Sequence, residues 1–253
     1  MRDLARFRDE TRGLSAGELI SWSLDQFGDG VVCASSMGAE DQVITHLIAD
    51  RAPDVCIFTL DTGRLFPQTY DLVESTRARY GLHLHLVFPD AAEVEEMVRT
   101  EGPNLFYRSI EARKRCCGVR KVNPLKRALA GKTAWITGLR KSQASSRKGA
   151  LQVDWDENNA MYKISPLVEW SESDVWDFIR KNNVPYHPLH DQGFPSIGCA
   201  PCTRAVKPGA DLRSGRWWWE QPDGKECGLH PGRGNGESVT AASRFGIGTL
   251  GTE

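Results

Sequence analysis

The stretch VVCASSMGAED, residues 31–41, carries the decision on fold. Val31 to Ser35 is an apolar, β-prone run, a turn of small residues follows, and from about Glu40 to Ala49 the pattern is helical. A buried strand that passes through such a turn into a helix is the repeating unit of a parallel α/β sheet. The same succession returns downstream. VCIFTL (55–60) precedes helical PQTYDLVESTRARYG, and HLHLVF (83–88) precedes AEVEEMVRTEG. A helical, basic segment (105–130) leads to TAWITG (133–138), and MYKIS (161–165) reads as a further strand before a helix that Ser171 begins. Upstream, Ser15 and Glu18 stand in capping-box spacing at the start of SAGELISWSLDQF, which Gly28 ends. The expectation is a Rossmann-like parallel sheet of about five strands with helices on both faces. Beyond about residue 190 the periodicity fades and Gly, Pro, Cys and Trp dominate. One domain is therefore expected over 1–230, with an α/β core at about 15–190 and a Cys/Trp-rich segment at about 191–230. Residues 231–253 are small and polar and read as a flexible tail.

The 253 residues carry a net charge of -1, so no global basic field argues for nucleic acid. No run approaches the roughly 18 apolar residues of a membrane span, and the charged N-terminus lacks an apolar signal core. A cytoplasmic, reducing setting is expected, in which clustered cysteines bind metal or do chemistry more often than they pair. There are seven, an odd number.

In a parallel sheet, ligands bind beyond the carboxyl ends of the strands. The loops to weigh are SSMGAED, DTGRLF (61–66) and GLRKSQASSR (138–147). Ser35, Ser36 and Gly38 offer hydroxyls and a closely approaching backbone where a helix N-terminus holds an anion. The loop lacks the GK[ST] ending of a Walker A motif. Arg140, Lys141, Arg147 and Lys148 bring positive charge to the same sheet edge.

RKRCCGVRK places Cys116 and Cys117 side by side, and GCAPC gives Cys199 and Cys202 in CxxC spacing. Four such thiolates suit zinc or an iron–sulfur cluster. Adjacent cysteines diverge, which favours different irons of a cube over one zinc. A thioredoxin-type CxxC is expected after the first strand of its domain, not this late in the chain. Cys33 and Cys56 lie in apolar strands and read as small buried hydrophobes. Cys227, in KECGLH, is left as a reactive thiol in a charged setting. RSGRWWWE (213–220) precedes it; three consecutive tryptophans cannot share one face, so some are core and at least one faces a cleft.

These motifs resemble the assimilatory adenylyl-sulfate (APS) reductases, the iron–sulfur branch of the phosphoadenylyl-sulfate (PAPS) reductase family. The resemblance runs in consistent order through SSMGAED, LDTGRLF, KRCCGVRKVNPL, TGLRKSQ, GCAPCTR, GRWWWE and KECGLH. It implies the adenine-nucleotide α-hydrolase-like fold and one 4Fe-4S cluster per chain on Cys116, Cys117, Cys199 and Cys202. It further implies that Cys227 attacks the sulfur of APS, expels AMP, and yields sulfite when thioredoxin attacks the S-sulfocysteine, in sulfate assimilation toward cysteine. Lys121, Arg213 and Arg216 would face the phosphosulfate. Ser35, Ser36, Gly38, Leu60, Gly63 and Arg140 would complete the substrate site, and His230 would dock the tail. Met37 stands where relatives often carry Phe, which should alter packing more than chemistry. PAPS is the alternative substrate, and a metal-bearing nucleotide- or RNA-binding protein the alternative class. A homo-oligomer is left open.

Overall fold

The computed structural model describes residues 3–143 and 147–221. Its strands are β1 (Val31–Ser35), β2 (Cys56–Leu60), β3 (Leu84–Val87), β4 (Ala134–Ile136), β5 (Val153–Asp156) and β6 (Met161–Ile164). They form one sheet in the order β3-β2-β1-β4-β6-β5. All neighbours run parallel except β5, which lies antiparallel to β6 at the edge. The sheet has six strands, not five. VDWD escaped notice because it is short, half polar and buried only at its ends. Ala160, at φ 51°, helps close the hairpin that joins it to β6.

The helices are α1 (Leu4–Glu10), α2 (Ala16–Phe27), α3 (Ala39–Arg51), α4 (Pro67–Tyr80), α5 (Ala91–Glu101), α6 (Ile110–Cys117), α7 (Asn123–Leu129) and α8 (Glu172–Asn182). Strand side chains alternate between faces, so β1 serves two cores. Val31 and Cys33 pack with Leu19 and Ile20 of α2, Val43 and Ile48 of α3, and Val175 and Ile179 of α8. Val32 faces the other way, with Phe58, Trp135 and Met161, against Leu125 and Leu129 of α7. Burial on both sides is why these strands are near-continuous apolar runs. It also makes Cys33 a core residue, with its thiol pushed well above the ordinary range by burial. Cys56 packs half-buried against the second core.

Local signals set the helix ends. Glu18 donates its backbone N–H to Ser15 Oγ at 3.3 Å, and Glu18 Oε2 accepts from Ser15 N–H at 2.8 Å. Ser171 and Asp174 repeat this box at α8. The core also reaches further back than residue 15. Phe7 of α1 is buried edge-on to Trp22, Phe27 and Tyr162, and Arg8 donates to Val153 O and Asp154 Oδ1. Helix α1 thereby closes off the β5 edge.

From β1 the chain winds outward to β2 and β3, then returns to place β4 on the other side of β1. The strand order reverses there, and a crevice opens beyond the carboxyl ends of β1 and β4.

Candidate active site

The β1 loop turns sharply because Met37 adopts φ 61°. Its backbone N–H donates to Ser35 Oγ at 3.2 Å, and its buried sulfur accepts from Ser35 Oγ at 3.6 Å and Gln42 Nε2 at 3.7 Å. Asp41, in the first turn of α3, then laces two loops together. Its Oδ2 accepts from Ser36 N–H at 2.5 Å and Ser36 Oγ at 2.6 Å, and its Oδ1 accepts from Gly138 N–H at 3.1 Å. Burial pushes this carboxyl up to about 6, against the pull of those hydrogen bonds. Gly138 must be glycine, because a Cβ there would run into the Asp41 carboxylate.

Arg140 is buried and paired. Its Nε and Nη2 both reach Glu40 Oε1 at 2.8 Å, and Nη1 donates to Ser142 Oγ at 2.6 Å. Its charge is largely spent on Glu40, so it acts on the cavity as a fixed wall. Lys141 pairs with Glu169 outside, and Lys148 is exposed.

Beyond β2, Gly63 adopts φ +68° and donates its N–H to Asp61 Oδ1 at 2.7 Å. Arg120 Nη1 donates to Thr62 O at 2.6 Å, and Thr62 Oγ1 lies 3.2 Å from Cys199 Sγ. This turn therefore supports the cysteine segment.

Between α6 and α7 the chain makes a five-residue π-helical turn, Gly118–Val122, a feature common at functional sites. Cys116 and Cys117 end α6 and are buried, and Cys199 and Cys202 flank a short 3₁₀ turn, Ala200–Cys202. Cys116 and Cys202 share a core with Met97, Leu105, Phe106 and Trp217, against which Cys199 packs. The four thiols lie within electrostatic reach of one another. Burial, then Cys199 and Cys117, push Cys202 up to about 12. Burial raises Cys116 too, and Cys199 adds to it. Burial also works to raise Cys199, but Lys121, the Thr62 hydroxyl, Arg216 and Arg120 together hold it below its ordinary value. Among the described residues no three Cys, His, Asp or Glu side chains draw in around a single ion, and no disulfide forms. A soft, all-sulfur set spread over two segments and ringed by cations suits a 4Fe-4S group, which takes one thiolate per iron.

Arg216 Nη1 donates to Ile197 O at 3.2 Å, and its guanidinium packs where a Gly198 side chain would be. The three tryptophans divide as expected. Trp217 is 1% exposed and lines the cavity, Trp218 is exposed, and Trp219 stacks edge-on to Tyr107. Arg113 and Arg216 lie 4.5 and 4.9 Å from the Trp217 ring centre, and Arg213 lies 6.0 Å from it. Arg113 also holds Glu220 in a two-pronged buried pair, both contacts 2.9 Å.

These parts enclose a cavity of about 710 Å³. Ser35, Ser36, Gly38, Leu60, Lys121, Arg140, Arg213 and Arg216 line it, whereas Gly63 stands behind it against Arg120. Cys227, His230 and the 231–253 segment lie outside the described residues.

The chain matches the phosphoadenosine phosphosulfate reductase domain over residues 30–205. It belongs to that family. Among relatives of this family, the adenosine 5′-phosphosulfate reductase of Allochromatium vinosum is 50% identical over 220 residues, covering 87% of this chain and 86% of its own. That of Burkholderia cepacia is 47% identical over 202 residues, covering 80% and 81%. The phosphoadenylyl-sulfate (PAPS) reductase from Candida auris, solved as a phosphate complex, superposes with a TM-score of 0.70 at 31% identity, covering 81% of this chain and 97% of its own. Candida glabrata FMN adenylyltransferase, at 17% identity and TM-score 0.53 over 81% of this chain and 71% of its own, shares the fold alone.

Within this PAPS reductase domain, sequence reading missed Asp41, Arg120, Arg113 and Glu220. Asp41 and Arg120 sit inside quoted motifs, yet only the folded contacts separate them from their neighbours. Arg113 and Glu220 are 107 residues apart, and no local pattern signals such a pair.

Proposed function

We propose that the protein reduces adenosine 5′-phosphosulfate to sulfite and AMP, with Cys227 as nucleophile and thioredoxin as reductant. One observation carries the reading: the β1 loop and the Lys121, Arg213 and Arg216 cations line one cavity, and Lys121 and Arg216 also act on Cys199. A ligand with a nucleotide at one end and an anionic sulfonyl at the other fits that layout, and the relatives near 50% identity carry the matching name. The Cys227 thiolate attacks the sulfonyl sulfur, the new S–S bond forms as the S–O bond to AMP breaks, and AMP leaves with the electron pair. Lys121, Arg213 and Arg216 hold the phosphosulfate and offset the charge that develops on the departing phosphate. A thioredoxin thiolate then attacks Cys227 Sγ and releases sulfite. Its second thiol resolves the mixed disulfide, returning the Cys227 thiol and oxidised thioredoxin. A 4Fe-4S group held by Cys116, Cys117, Cys199 and Cys202 would supply a fixed charge that tunes the field at the sulfonyl rather than electrons.

Intact mass and peptide mapping test this. Oxygen-protected protein mixed with APS, without thioredoxin, should gain one sulfonate on Cys227, faster than with PAPS, and Cys227→Ser should gain none. Iron-replete protein that stays unmodified by either substrate would overturn the reading.

A further inference from the structure

Away from the thiols, the cavity wall is built by α8 and the loop after it, including Val175, Trp176, Ile179, Tyr186 and His190. His190 sits on the short turn Pro188–Gln192, edge-on to Trp176 at 5.2 Å. Its ring gives one proton to the Phe194 carbonyl. The other nitrogen, Nε2, is shut off from solvent and meets no polar partner. Burial is the main influence on this imidazole and holds it below its ordinary value, so the ring is neutral and Nε2 presents a lone pair. A buried acceptor without a donor is costly. Placed in a cavity wall, it is a vacancy for a donor on a ligand.

The surroundings narrow the ligand group. Glu40, Asp191 and Glu172 all act on His190, so this end of the cavity is rich in acceptors, while Lys121, Arg213 and Arg216 gather at the thiol end. A ribose brings two hydroxyl donors to such a surface. Adenine brings one amine flanked by ring nitrogens, which carboxylates cannot serve.

Building on the APS reading above, we propose that His190 Nε2 accepts a hydrogen bond from a ribose hydroxyl of the bound nucleotide and so favours a substrate whose ribose is not phosphorylated. A 3′-phosphate has lone pairs to offer where a proton is needed, and its charge would face Glu40, Glu172 and Asp191. His190 is thus a specificity-determining residue that never touches the reacting sulfur.

Calorimetric titration of the full chain at neutral pH tests this without turnover. The probes are AMP, 2′-deoxy-AMP, 3′-deoxy-AMP and adenosine 3′,5′-bisphosphate. Wild type should bind AMP about tenfold more tightly than at least one deoxy analogue, the scale of a buried acceptor losing its donor, and the bisphosphate more weakly than AMP. His190→Phe should weaken AMP to the level of that analogue and erase the preference. His190→Gln, whose carbonyl can accept, should restore part of it. Equal binding of AMP and both deoxy analogues by wild type overturns the inference alone, as does a preference that survives in His190→Phe. Wild type that binds none of the four nucleotides overturns it together with the reading beneath it.

Discussion

Glu220→Ala should be the most damaging single change outside the sheet. Arg113 and Glu220 have side chains 0% and 4% exposed, with two contacts of 2.9 Å, and the guanidinium lies 4.5 Å above Trp217. Removing the carboxylate leaves a guanidinium charge in the apolar shell formed by Leu105, Phe106 and Trp217. Deleting one partner of such a buried pair costs about 3–5 kcal/mol. For a chain of this length that lowers Tm by about 6–20 °C. The exposed pair Arg6–Glu10, at 52% and 37%, is the internal control and is worth a few tenths of a kcal/mol, about 1 °C or less. Thermal unfolding followed by circular dichroism under nitrogen compares Glu220→Ala, Glu10→Ala and the double change Arg113→Met with Glu220→Leu. The double variant should recover most of the loss, because it removes both charges and fills the space. A Glu220→Ala shift no larger than that of Glu10→Ala would refute the reasoning, and so would a double variant worse than the single.

Gly138→Ala drives a methyl into the Asp41 carboxylate and should weaken AMP binding by an order of magnitude or more in titration; unaltered affinity would show that the lacing of the two loops is dispensable. Asp41 is held near 6 when folded against about 3.9 unfolded, so between those values the folded chain keeps a proton that the unfolded chain gives up. Its contribution to stability therefore falls as pH rises through that window. The Tm of Asp41→Asn relative to wild type should move in the variant's favour from pH 4 to 7, and a constant difference contradicts the shift. Gly63→Ala forces φ +68° on a residue whose Cβ meets Arg120 Nη1 at 3.3 Å, and should cost about 1 kcal/mol in denaturant midpoint. Cys202→Ser should abolish the iron content and brown colour of anaerobically purified protein; full iron retention would remove that thiol from the proposed cluster set.

The sheet was legible because burial on both faces writes itself as apolar runs such as VVCAS and VCIFT, and the helix ends because Ser15 and Ser171 satisfy backbone donors locally. The β5 edge strand was not, since its ladder is made with β6 rather than by its own apolar pattern. At the site, spacing revealed Cys116, Cys117, Cys199 and Cys202, and strand-end position revealed Ser35, Ser36 and Gly38. Arg140 shows where such reading stops. Sequence gives its charge and its loop, but only the fold reveals that Glu40 consumes that charge. Gly63 is similar: the motif marks the turn, while the structure turns it toward Arg120 rather than the cavity.

The π-helical turn at Gly118–Val122 works as a reading frame. Arg120 within it reaches back to the Thr62 carbonyl, while its neighbour Lys121 enters the cavity. Consecutive residues thus serve two compartments, and the extra residue in the turn sets which goes where. Exchanging side chains there changes one contact at a time. Deleting one residue would rephase everything downstream, sending another side chain to the cavity and moving Leu125 and Leu129 off the sheet. Over this stretch, length is under tighter constraint than composition.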